Sequence, residues 1–150
     1  MFEAKAKSQN PLTAGAPRPI QLKPNQAILM YAASEGDANM LYATGFFVPD
    51  PFVFFEHKNR RHIVMSDLEI DRARRQAPHC HVVSLNAHQK RLRKTGVKQP
   101  RLAHIINAIL RQRHVRRVLV PDNFPLGLAG ELVRLGISVK AKPGSFFPER

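Results

Sequence analysis

The sequence predicts an α/β fold, a mixed β-sheet flanked by helices in a single domain, and three observations lead there. Two short apolar runs, FVFFEH and RHIVMS, flank the polar KNR at Lys58 to Arg60, which reads as an antiparallel hairpin. Near the carboxyl end, VRRVLVP, DNFPLGLAGELVRLG and ISVKAK read as strand, helix and strand, a unit that favours parallel pairing with a right-handed crossover. A sheet holding both is mixed. Finally, 150 residues with 43% apolar content suffice for one core, which hides roughly 70% of the surface exposed by the unfolded chain.

Taken in order, residues 1–25 place Pro11, Pro17, Pro19 and Pro24 among small and polar residues without a helical or strand period. Such a segment gains too little from burial to offset its ordering, so a mobile arm is expected ahead of a domain over residues 26–150. QAILMYAA, Gln26 to Ala33, has the length and apolar character of a strand, and SEGDANMLYATG then reads as a short helix ended by Gly45. After the hairpin, Ser66 stands three residues before Glu69, the capping-box spacing, and Asp71 can pair with Arg75 one turn on, so a helix should start at Ser66. HCHVVSL is a further strand, followed by a basic helix near Ala87 to Lys94 that Gly96 closes. From Pro100, Leu102, Ile105, Ile106, Ile109 and Leu110 recur at helical spacing, and Leu128, Leu132 and Leu135 line one face of the last helix, which Gly136 stops.

Charge is placed unevenly. Between Lys58 and Arg117 there are sixteen Lys or Arg against Asp67, Glu69 and Asp71, so this one stretch carries the whole net charge of +13. It could attract nucleic acid, an anionic surface or an acidic face of another domain. Its runs fall on separate elements, however, and the aromatic residues do not interleave with them along the chain, as a stacking platform for single strands needs. The single Cys80 excludes an intrachain disulfide, the first ten residues hold no signal-like apolar run, and no stretch approaches the roughly 20 apolar residues of a spanning helix; a cytoplasmic protein is expected.

Six of the eleven aromatic residues lie in YATGFFVPDPFVFF, Tyr42 to Phe55. FVFF reads as a buried strand. TGFFVPDP fits core packing less well: two adjacent Phe side chains must diverge beside a Pro-Asp-Pro loop, leaving one of Phe46 and Phe47 free for a partner or ligand. His79, Cys80 and His81 invite a metal reading, since alternate strand residues put both imidazoles on one face, but no second ligand pair follows at finger-like spacing. Asp67 and Asp71 are explained by capping and by pairing with Arg74 or Arg75.

The order DANMLYATGF, a strand pair, MSDLEIDRARRQA, a helix, VLVPDNFPLGLAGELVRLGISV and FFPER resembles the amino-terminal domain of the Xaa-Pro aminopeptidase, prolidase and creatinase family over about residues 26–150. Its specific part is the N-x-x-Y-x-T-G-F element at Asn39, Tyr42, Thr44, Gly45 and Phe46. The resemblance implies the smaller, non-catalytic half of a two-domain hydrolase, which supports oligomer assembly and closes one side of an active site. Hydrolysis in that family belongs to a following pita-bread domain with two divalent metals, manganese being expected, and this chain stops before that domain would begin. A two-metal site needs several carboxylates within about 4 Å of each other, and the later part of the chain offers only Asp122, Glu131 and Glu149. No peptidase activity, catalytic residue, metal site or cofactor is therefore expected in these residues.

By the same analogy, Asp37, Asn39, Tyr42, Thr44, Gly45, Phe46 and Phe47 are the expected substrate-side or interface residues, with Gly45 letting backbone come close. The partners implied are a catalytic metallopeptidase domain, a second subunit, or both, with a peptide bearing Pro at its second position as substrate of the complete enzyme only. The alternative, from a different class, is a small basic nucleic-acid-binding protein that shares only the sheet architecture.

Overall fold

A computed structural model describes residues 20–144, 146 and 147. The expected arm lies outside the described residues as far as residue 19, and so do the last three residues of FFPER; Ile20 and Leu22, from the end of that arm, pack against the core. Six strands, β1 (Gln26–Ala32), β2 (Phe52–His57), β3 (Arg60–Met65), β4 (Cys80–Ser84), β5 (Arg117–Val120) and β6 (Ser138–Ala141), form one sheet in the order β4-β3-β2-β1-β5-β6. β2 is antiparallel to both its neighbours, whereas β3 with β4, β1 with β5, and β5 with β6 are parallel. The sheet is mixed, as expected, and only β2 runs against the other five.

Side chains alternate between two cores because successive strand residues face opposite ways. Ile28, Met30, Phe52, Phe54, Ile63 and Met65 meet α1 (Ala38–Thr44) and α2 (Ile70–Gln76), with Phe146 and Phe147 closing that side. Leu29, Val53, Phe55, Val64 and Val118 meet the other helices, α3 (Leu85–Lys94), α4 (Leu102–Gln112) and α5 (Leu126–Arg134). The period read from Leu102 to Leu110 is the buried face of α4, and Leu132 is buried on α5 with Leu128 and Leu135 packed beside it.

Three local expectations need correction. The hairpin turn holds two residues, not three: Lys58 (φ 52°) and Asn59 (φ 63°) are both left-handed and His57 pairs directly with Arg60. Two positive φ angles are what a turn matching the strands' right-handed twist requires. The capping box at Ser66 is not made. Residues 67–69 form a turn closed by the Glu69 amide on the Ser66 carbonyl, α2 starts at Ile70, and Glu69 pairs with Arg72 at 2.9 Å rather than Asp71 with Arg75. Asp67 is drawn away because its carboxylate accepts from Ser84 Oγ at 2.6 Å, and Ser84 in turn caps α3 by accepting from the Ala87 amide.

Candidate functional site

The segment that carried the family resemblance is built around a short helix. Asp37 caps α1: its Oδ1 accepts from the Met40 amide at 2.9 Å, and its Oδ2 accepts from Asn123 Nδ2 at 2.8 Å, tying the helix to the loop after β5. Gly45 ends the helix at φ 62° and donates its N–H to the Leu41 carbonyl, a left-handed cap that suits a residue without Cβ. Thr44 is fully buried. Its Oγ1 donates to the Met40 carbonyl at 2.8 Å and accepts from the Phe46 amide at 3.1 Å. Ser34, buried behind it, donates to the Phe46 carbonyl and accepts from the Val48 amide at 2.8 Å.

This clamp sets the two adjacent phenylalanines apart. Phe46 points inward and packs edge-on against Phe52, with ring centroids 6.1 Å apart, while Phe47 is 52% exposed. Leu41 and Tyr42 add exposed surface on α1, where Asn39 is half-buried. The predicted residues thus divide: Asp37, Thr44, Gly45 and Phe46 hold the segment, and Tyr42 and Phe47 form an aromatic lip.

Four residues that sequence reasoning missed support the lip from other elements. Arg61 Nη1 donates to the Ala43 carbonyl at 3.0 Å and its guanidinium lies 6.0 Å from the Tyr42 ring centre; Glu56 pairs with it at 3.2 Å. Arg72 Nη2 donates to the Phe47 carbonyl at 3.0 Å and lies 4.9 Å from the centre of the Phe46 ring. His79 Nε2 sits 3.1 Å from the Ala43 carbonyl, and Phe147 packs against Tyr42 at 5.3 Å. The basic and aromatic runs that stay separate along the chain interleave in space, which the residue order could not signal.

A cavity of about 300 Å³ opens near the lip, where β1 and β3 end and β2 begins, lined by residues that include Tyr31, Pro49, Asp50, Pro51, Met65 and Arg72. None of the seven predicted residues lines it; the link to the lip is Arg72.

The His79, Cys80, His81 triplet is divided. β4 begins at Cys80, so His79 escapes strand alternation and turns to α1, while His81 stacks on His62 at 5.3 Å on the opposite face. The two imidazoles expected on one face therefore lie on different faces. Burial raises the Cys80 thiol to about 11. Of the later carboxylates, Glu131 accepts both Nε and Nη2 of Arg101 at 2.9 Å, its carboxyl held below the usual range by that hydrogen bond, and Glu149 lies outside the described residues. Among the described residues, no three His, Cys, Asp or Glu side chains converge as metal ligands would, and no helix is long and apolar enough to cross a membrane.

Solved structures match this architecture at low identity. An Xaa-Pro aminopeptidase chain from Streptococcus pyogenes superposes with a TM-score of 0.56 at 15% identity, over 82% of this chain and 81% of that one. The creatinase/prolidase amino-terminal domain of an X-Pro dipeptidase from Streptococcus pyogenes gives 0.51 at 17%, over 79% and 86%. The fold is that of a creatinase/prolidase amino-terminal domain. The X-Pro aminopeptidase of Thermotoga maritima gives 0.55 at 10%, and there the likeness covers 77% of this chain but 30% of the larger one. No family model and no curated protein matches. Nothing in these likenesses favours the nucleic-acid alternative.

Proposed function

We propose that the chain is a non-catalytic domain that assembles with a metal-dependent, proline-specific peptidase domain or a second subunit and lines one side of its substrate site. Bond cleavage then belongs to the partner, with two divalent ions, manganese by family expectation, and a peptide bearing Pro at its second position. The supporting observation is the outward Phe47 beside the inward Phe46. The chain uses Ser34, Thr44, Arg61 and Arg72 to hold a short loop in which one large apolar ring stays in water. Exposed apolar surface on a rigid support suits burial against another protein surface or against a proline ring. The lone, buried Cys80 suits a reducing compartment, and we place the protein in the cytoplasm on that ground.

Two measurements test this. Sedimentation across a hundredfold range of concentration should show self-association that Phe47→Ser weakens without unfolding the chain, while an Xaa-Pro peptide with manganese added should give no product. A chain that turns over peptide alone overturns the reading, and one that stays monomeric throughout removes the second subunit from it.

A further inference from the structure

The opposite face of the sheet carries a second surface that the peptidase reading leaves unused. Here the hairpin turn, the start of β3, β4 and the end of α4 enclose an open groove of about 860 Å³ lined by His57, Lys58, Arg60, His62, His81 and Arg113, among others. Among the described residues, no Asp or Glu lines it. Glu56, next to His57 on β2, belongs to the other face and is taken by Arg61. We propose that this groove binds a small multivalent anion of the phosphate or polyphosphate class, with Lys58, Arg60 and Arg113 supplying the positive charge.

Four features of the groove support this. Among the described residues, none of the three cations is in an ion pair, although Arg61, Arg72 and Arg101 each find a carboxylate. Arg113 is half-buried over the Phe55 ring at 5.2 Å and donates from Nη1 to the Ile109 carbonyl at 3.2 Å; among the described residues its Nε and Nη2 have no acceptor. That one bond is the ordinary role of a cation at a helix carboxyl end, and it leaves the rest of the guanidinium fork for a bidentate oxyanion. Lys58 sits in the tight two-residue turn between β2 and β3, which places its backbone at the rim of the groove. Finally, Phe55, His62 and His81 stack in sequence across β2, β3 and β4, at 4.4 and 5.3 Å, and His62 is a buried side chain whose Nδ1 has no hydrogen-bond partner among the described residues.

His62 makes the site sensitive to pH. Burial, Arg113 and His81 lower His62 to about 4, so it is neutral when the groove is empty. A bound anion adds negative charge facing His57, Lys58, Arg60, His62, His81, Arg113 and His114, which must raise the His62 value; by linkage, proton uptake at His62 then favours binding as pH falls, opposed by protonation of the anion itself. The basic stretch from Lys58 to Arg117, which separate elements dispersed, thus converges in part on one surface, because the hairpin and the end of α4 meet here.

The test is calorimetric titration of the intact chain with inorganic phosphate, pyrophosphate and ADP at constant ionic strength, with acetate as the monovalent control. Saturable binding of pyrophosphate is expected, with little from acetate. Arg113→Gln and Lys58→Asn should each weaken it about tenfold, the loss of one charge-assisted contact. Asn tolerates the left-handed turn, so Lys58→Asn keeps the test open if Arg113→Gln fails to fold. Lys98→Gln, outside the groove, should change affinity less than about twofold. Equal binding of pyrophosphate and ADP assigns the phosphates alone, and tighter ADP adds a stacking contact on His81; both support the proposal. The imidazole resonance of His62 followed by NMR should shift its titration upward with pyrophosphate bound. No saturation at about 10 mM pyrophosphate, or a Lys98→Gln loss equal to that of Arg113→Gln, overturns it. The outcome is independent of the peptidase reading, which is tested by assembly and turnover.

Discussion

The two aromatic runs Tyr42–Phe47 and Phe52–Phe55 are near neighbours in the chain and are held by different physics. In β2 every residue of FVFF is buried, and the ladder to β1 and β3 supplies backbone partners on both sides. In the loop before it, Phe46 is buried and Phe47 is exposed, and the backbone is fixed by side chains from β3, α2 and the ends of β1 and α1. The first run is a piece of core that any apolar residue of the right volume could maintain. The second is a positioned surface, held by polar side-chain contacts to the backbone of the helix end and the loop.

That contrast predicts a graded response. Phe54→Ala empties a fully buried site in the central part of the sheet and should cost about 3–5 kcal/mol in urea unfolding. A loss under 1 kcal/mol would mean the two faces are less densely packed than the alternation implies. The far end of the same run should respond to acid. His62 stacks on Phe55 with rings 3° from parallel, and its value of about 4 lies below the ordinary 6.5. The unfolded chain then binds the proton more readily, so stability is full above about pH 6.5 and falls as pH drops toward 4, by up to about 3 kcal/mol. Urea midpoints between pH 7 and 4 check this, and His62→Gln should flatten the slope by that share.

The clamp should be weaker than the core and yet measurable. Thr44→Val keeps the volume and removes both the bond to the Met40 carbonyl and the acceptor for the Phe46 amide, leaving buried groups unpaired at a cost of about 1–3 kcal/mol. Gly45→Ala should cost about 1 kcal/mol, from the left-handed φ of 62° alone: the added Cβ would meet only His79 Cε1, at 4.0 Å, an ordinary contact. Thermal or urea unfolding of both variants, with Phe47 exposure followed by quenching, separates the two effects.

The same contrast explains what residue order revealed. β1, the hairpin, α4 and the β5–α5–β6 unit were legible because burial imposes a period of two or of helical spacing on consecutive residues. Gly45 was legible as a cap because capping is local. Ser34, Arg61, Arg72 and His79 were not, since each acts on a carbonyl or amide brought near by tertiary folding, with no spacing rule to mark it. Asp67 shows the reverse failure: a local capping rule lost to a bond with Ser84 across seventeen positions.

The smallest effect on stability should come from Phe47, and it is the most informative. If the ring is a surface feature of the folded chain, Phe47→Ser stays within about 0.5 kcal/mol of the parent in unfolding, because 52% of the residue is already in water. If the ring exists to be covered, the same change must alter association, since a buried Phe contributes about 1.5–3 kcal/mol to an interface and its loss shifts a dissociation constant by more than tenfold. Stability unchanged with association weakened separates the lip from the core. Association unchanged would reduce Phe47 to an incidental outward neighbour of Phe46, and the clamp of Ser34, Thr44, Arg61 and Arg72 would then serve to seat Phe46 alone.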